Sequence, residues 1–135
     1  MTNKEQQVYD EIRSFLSDRG NRNKIELIHR GVFDFRRVLE SRFIFEHPLT
    51  DLCSISCYLW LERMGTKNYQ PYVIVMNEVK DGIQTNNHHF IKNKTTNEII
   101  DLTKEQYEGE TIPYNKGIPC IIFRENGLVL SGYRP

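Results

Sequence analysis

Apolar residues recur at helical spacing near the N-terminus, where Val8, Ile12, Phe15 and Leu16 fall on one face before Arg19-Gly20 ends the pattern. Thr2-Asn-Lys-Glu5 matches a capping box, so this first helix is expected to start there. A second apolar region carries Ile25, Ile28, Phe33, Phe35, Val38, Leu39 and Phe43, and reads as mostly helical, with Gly31 as an interruption and His47-Pro48 as the stop. A third helix is capped by Thr50 or Asp51 and closed by Gly65. Between those ends Leu52, Ile55, Tyr58, Leu59, Trp60, Leu61 and Met64 cover nearly every face, which marks a buried central helix. The periodicity then changes to that of strands: Tyr72–Val79, His88–Lys92, Glu98–Leu102, Cys120–Arg124 and Leu128–Leu130. Asn126-Gly127 is a hairpin turn between the last two, and Thr103 caps a single helical turn running to Tyr107. Helices first and strands afterwards predict an α+β fold, with N-terminal helices and a buried central helix packed on an antiparallel sheet of four or five strands.

The length of 135 residues suits one domain, 1–135, able to bury a continuous core without staples. The 18 Lys and Arg balance the 18 Asp and Glu for a net charge of zero, which leaves no electrostatic footprint for nucleic acid or for an anionic membrane. Partners are therefore sought in a site, as a protein, peptide or small amide substrate. The N-terminus lacks a signal-peptide core and no apolar run is long enough to span a bilayer, so the chain reads as cytoplasmic. Three cysteines in such a chain are expected to be free thiols. Phosphate-binding glycine loops, nucleotide motifs and serine elbows are missing, and no cofactor is expected.

Cys53 falls in the first turn of the central helix, where orphan amides and the positive end of the dipole favour thiolate and could serve an oxyanion. Cys57 lies one turn deeper and reads as an inert packing residue. The base is sought in the hairpin formed by the His88 and Glu98 runs. With a three-residue loop at Lys94-Thr95-Thr96, Ile91 faces Ile99 and His89 stands opposite Asp101, on one face of the sheet. An even-length loop would instead bring His88 to the side of Asp101, so His89 is preferred and His88 is held in reserve. An imidazole oriented by a carboxylate is what a thiol nucleophile requires. The plainer reading of the same residues is a surface cross-strand pair beside a cysteine buried for packing.

A helix opening on Cys53-x-x-Ser56-Cys57 and ending in Leu61-Glu-Arg-Met-Gly65, followed by a His-x-x strand and a hairpin into Ile-Asp-Leu-Thr-x-x-Gln-Tyr, resembles the transglutaminase-like and papain-like cysteine fold. It is most similar to the small YunG-like bacterial proteins, whose pattern is a helix-start Cys, then His-Tyr-Trp-Asn, then Val-Asp-Leu-Thr-x-x-Gln-Phe. The resemblance covers about Asp51 to Tyr107. It implies a cysteine-dependent acyl- or amide-bond enzyme, a peptidase, deamidase or transglutaminase-like catalyst, with Cys53 as nucleophile, His89 as general base and acid, and Asp101 orienting the imidazole. The family's His and Asp stand twelve positions apart, as His89 and Asp101 do. The chain departs from the family in having Asp51-Leu52 where Gly-Gln is usual, which removes a side-chain oxyanion donor. It also has Ile91 in place of an aromatic and Cys57 in place of a small residue.

The alternative is a catalytically inactive protein-binding or inhibitory domain on the same fold, with Cys53 buried. A metal centre built from Cys53, His47, His88, His89 and Asp101 is disfavoured, because adjacent histidines on a strand point to opposite faces and no Cys-x-x-Cys or His-x-x-x-His pair anchors it. Trp60 and Tyr58 read as core, and His29 and His47 as surface or boundary residues.

Overall fold

The computed structural model describes residues 1–21, 23–25, 53–75, 87–107, 111–125 and 128–133. Within them the fold is α+β. The expected second helical region, the Thr50 or Asp51 cap, and His29 and His47 lie outside the described residues.

Helix α1 spans Asn3–Ser17, and its capping box forms as the sequence predicts. Thr2 Oγ1 accepts the Glu5 N–H at 3.1 Å, and the Glu5 carboxylate accepts the Thr2 N–H at 2.8 Å. Glu5 is nevertheless buried. Its other oxygen accepts from the Tyr69 hydroxyl at 2.9 Å and from Asn93 Nδ2 at 3.3 Å, which ties the start of the helix to two strands. These bonds outweigh the cost of burial and hold the Glu5 carboxyl below its usual range.

Helix α2 is Cys53–Met64 and buries Cys53, Ser54, Ile55, Ser56, Cys57, Trp60 and Leu61. It stops where Gly65 adopts φ +81°, a left-handed conformation that a Cβ would strain. The α1 stripe of Val8, Tyr9, Ile12 and Leu16 joins Ile55, Trp60 and Leu61 in one core with Tyr69, Val73, Ile91, Ile100 and Leu102. Trp60 is fully enclosed and meets the Tyr69 ring edge-on at 5.5 Å. Burial of each large side chain of this kind contributes about 2 kcal/mol. Tyr58, expected in the core, is only partly buried against it.

The strands are β1 Tyr69–Val75, β2 Asn87–Asn93, β3 Ile99–Ile100, β4 Ile118–Glu125 and β5 Leu128–Tyr133. They lie in the order β3-β2-β1-β4-β5, and every pairing is antiparallel. Strand β1 begins three residues before the expected Tyr72, and β3 keeps only two residues of the expected Glu98–Leu102 run. The turn predicted at Asn126-Gly127 is outside the described residues, but the strands on either side pair as a hairpin, Glu125 with Leu128. Among the described residues, no helix is long and apolar enough to cross a membrane.

The connection between β2 and β3 differs from expectation in a way that decides the site. Asn93 N–H bonds Glu98 O, so four residues, 94–97, separate the paired positions rather than three. Asn93 Oδ1 accepts the Thr95 and Thr96 amides, and Asn97 takes φ 61°, the left-handed region that asparagine tolerates. Ile91 consequently pairs with Ile100, and Lys92 with Ile99, one residue away from the expected register.

Candidate active site

Cys53 is the first residue of α2, at a helix end whose leading amides lack intrahelical acceptors. Its sulfur stands 3.5 Å from Nδ1 of His89 on β2. The expected juxtaposition of Cys53 and His89 is therefore present. The expected pairing of His89 with Asp101 is not. The four-residue loop shifts the register, and the imidazole that meets Asp101 is His88, with Nε2 2.7 Å from Oδ2. The ring oriented by Asp101 is His88, not the expected His89, because the even-length loop brings the reserve histidine to the carboxylate. His88 also interacts with the Cys53 thiol. Asp101 thus holds His88, the sulfur of Cys53 stands against His89, and both imidazoles act on the one thiol. All four are buried, with Cys53 only 3 % exposed.

A carboxylate oxygen accepts, so the 2.7 Å contact puts a proton on His88 Nε2 and leaves Nδ1 as the ring's basic nitrogen. Burial by itself would raise the Cys53 thiol, but hydrogen bonding to His88 and His89, and the favourable electrostatics of the two rings, outweigh it and bring the thiol down from 9.0 to about 6. Burial would likewise lower His88, yet its bonds to Asp101 and Cys53 raise it from 6.5 to about 9. Between those values the stable form of the pair is thiolate and imidazolium. Cys57 behaves oppositely. Buried one turn deeper and facing the charges of Cys53 and Asp101, its thiol is pushed well up and stays protonated. Among the described residues, none of the three cysteines is in a disulfide.

Asp101 is held from several sides. Its Oδ1 accepts the Thr103 N–H at 3.2 Å, and its Oδ2 accepts the Tyr114 hydroxyl at 2.8 Å in addition to His88. Its backbone carbonyl accepts the Tyr9 hydroxyl at 3.1 Å. Arg13 in turn donates to the Tyr9 oxygen at 2.8 Å and forms an ion pair with Glu105, so α1 is fastened to the chain just beyond β3. Thr103 does not act as the expected helix cap. Its buried Oγ1 has no hydrogen-bond partner among the described residues, and it is the Asp101 side chain that bonds the Thr103 amide just before the 3₁₀ turn at Lys104–Tyr107.

Tyr114 had no sequence signal. It reaches Asp101 from a 3₁₀ turn, Tyr114–Lys116, in the Pro- and Gly-containing stretch before β4 that has no periodicity to read. His88 was signalled only by loop parity, since an even-length loop brings it to the side of Asp101. Among the described residues, no group of three His, Cys, Asp or Glu side chains is arranged to hold a metal ion. Comparison with protein-family models, curated proteins and solved structures finds no match to this chain.

Proposed function

We propose that this protein is a cysteine-dependent enzyme acting on an acyl or amide bond, on a papain-like or transglutaminase-like arrangement of a Cys-headed helix against a His- and Asp-bearing sheet. The observation that carries the reading is the Cys53 sulfur, set 3.5 Å from His89 and coupled through His88 to Asp101, with its thiol at about 6. A thiolate at neutral pH is the attacking species in such chemistry.

In this reading the Cys53 sulfur bonds to the substrate carbonyl carbon, and the oxyanion is met by amides of the first turn of α2. The carbon–nitrogen bond then breaks as the His88 imidazolium gives its proton to the departing amine, leaving a thioester. Water, or a second amine, attacks the thioester, passes a proton to His88 and releases Cys53 as thiolate. Asp101 keeps the His88 ring in one tautomer and stabilises its charge throughout. His89 contributes a second hydrogen bond to the sulfur. A reducing compartment such as the cytoplasm suits a mechanism that depends on an ionised, unoxidised thiol.

One observation favours a second reading, that of an inactive binding or inhibitory domain: Cys53 is 3 % exposed, so a substrate reaches it only if its surroundings open. An activated phenyl ester separates the two. The enzyme reading expects a burst of one equivalent of phenol and an acyl adduct on Cys53, absent in Cys53→Ala. If no adduct forms on Cys53 while the thiol is ionised, catalysis is ruled out and the binding reading stands. Turnover of glutamine-containing peptides with and without an added amine then sorts hydrolysis and deamidation from acyl transfer.

A further inference from the structure

The carboxylate behind His88 is shared. Asp101 Oδ2 accepts from His88 Nε2 at 2.7 Å and from the Tyr114 hydroxyl at 2.8 Å, so two donors compete for one oxygen. The phenol is placed there deliberately by its turn: Gly117 N–H bonds Tyr114 O at 3.0 Å, and the Tyr114 ring meets Phe90 edge-on at 5.0 Å. Phe90 is itself fully buried, stacked on Tyr72 at 5.4 Å, and lies so close to Gly117 that a Cβ there would come within 2.8 Å of the ring. The hydroxyl therefore has little freedom to leave Asp101.

We propose that Tyr114 is a positioning residue of the site, whose hydroxyl fixes the Asp101 carboxylate and, by sharing Oδ2, limits how strongly that carboxylate grips His88. The inference rests on the thiolate–imidazolium reading above and adds a regulator of that pair. A hydrogen bond to a charged acceptor draws off part of its charge, so the imidazolium beside it is held less tightly than an unshared carboxylate would hold it. The reciprocal effect is visible on the phenol: burial, the Asp101 charge and the hydrogen bond to it all raise the Tyr114 hydroxyl, keeping it a donor. The other ionisable groups facing the pair are Cys53 and Cys57 from α2, His89 from β2, Tyr9 and Arg13 from α1, and Glu105 after β3. Of these, Tyr9 and Glu105 also feel the Tyr114 hydroxyl electrostatically, whereas Asp101 is the group that it hydrogen-bonds.

The test is a histidine NMR titration of the full chain, with the His88 resonance assigned by its loss in His88→Asn. In Tyr114→Phe, which keeps the ring against Phe90 and removes only the oxygen, the His88 midpoint is expected to rise by about half a pH unit, roughly a threefold change in proton affinity. Tyr114→Leu is expected to give the same rise, although it also removes the ring. An unchanged or lowered midpoint in Tyr114→Phe overturns the proposal, as does a rise seen with leucine alone, which would assign the effect to packing. Failure of the underlying reading is a different result: the wild-type His88 midpoint would itself fall near 6.5 instead of about 9.

Discussion

Replacing Cys53 by serine separates two titrations that cancel in the native protein. The thiol is lowered from 9.0 to about 6 on folding, so its contribution to stability is present above 9.0 and is lost as pH falls through 6. His88 is raised from 6.5 to about 9, so its contribution is fully present below 6.5 and is lost as pH rises through 9. Between 6.5 and 9 the folded pair carries one proton, on the imidazole, and the unfolded chain also carries one, on the thiol. Folding moves the proton without binding or releasing one, and the pair contributes no pH slope. Serine cannot ionise in this range, whereas His88 keeps Asp101 as its partner. In Cys53→Ser stability should therefore fall with rising pH, by at most about 1.4 kcal/mol per pH unit while the imidazole deprotonates. Because the sulfur is one of the two groups that raise His88, the total loss between pH 6.5 and 9 should be about 2 kcal/mol rather than the full displacement of His88. Urea unfolding under reducing conditions, followed through the single buried Trp60, measures it as the wild-type-minus-variant difference, in which other groups cancel. At a typical slope the midpoints should diverge by about 1 M urea across the range. Parallel pH profiles would refute the reasoning, since they would mean that no proton passes from sulfur to imidazole on folding.

Three further outcomes follow from named contacts. His88→Asn should raise the Cys53 thiolate midpoint more than His89→Asn does, because His88 alone is backed by Asp101; a larger effect at His89, read from thiolate absorbance, would show that the thiolate depends on the direct 3.5 Å contact instead. Glu5→Gln should lose the acid sensitivity of the α1 start: the wild-type carboxyl is held low, so its contribution is present above 4.5 and disappears as pH falls through the lowered value. Circular dichroism between about pH 5 and 2 compares the two chains, and identical acid transitions would remove Glu5 from the account. Gly117→Ala should cost about 2 kcal/mol in denaturant unfolding, because its Cβ would sit 2.8 Å from a Phe90 ring that cannot retreat; a neutral change would show that the ring can yield.

The elements set by local chemistry were legible in the sequence. The Thr2 and Glu5 box and the Val8, Ile12, Leu16 stripe specify α1 almost residue by residue, and Gly65 closes α2 as read, while the Thr50 or Asp51 cap lies outside the described residues. The order of helices and strands was enough for α+β, and the lack of a disulfide among the three cysteines followed from their number and setting. What failed was the length of one turn. Lys94-Thr95-Thr96 and Lys94 to Asn97 are equally good loops on composition, and the choice rests on whether Asn97 enters the left-handed region, which nothing nearby dictates. One residue of register then exchanges His89 for His88 at Asp101, because side chains alternate. Tyr9, Arg13 and Tyr114 were illegible for a different reason. Tyr9 reaches Asp101 across 92 positions, Arg13 reaches Tyr9 and Glu105, and Tyr114 reaches Asp101 from a turn without periodicity; such contacts exist only once the sheet and helices are assembled. Glu5 was readable as a cap but not as the buried acceptor of Tyr69 and Asn93.

The ionisation of Cys53 underlies every chemical statement made of the site. Thiolate absorbance of the wild-type chain, with that of Cys53→Ser subtracted, isolates this one sulfur as pH is raised. The account predicts a half-titration at about 6, well below the unperturbed thiol and far below Cys57. A half-titration at or above about 8.5, where a free cysteine ionises, would contradict it and leave Cys53 as a packing residue of α2.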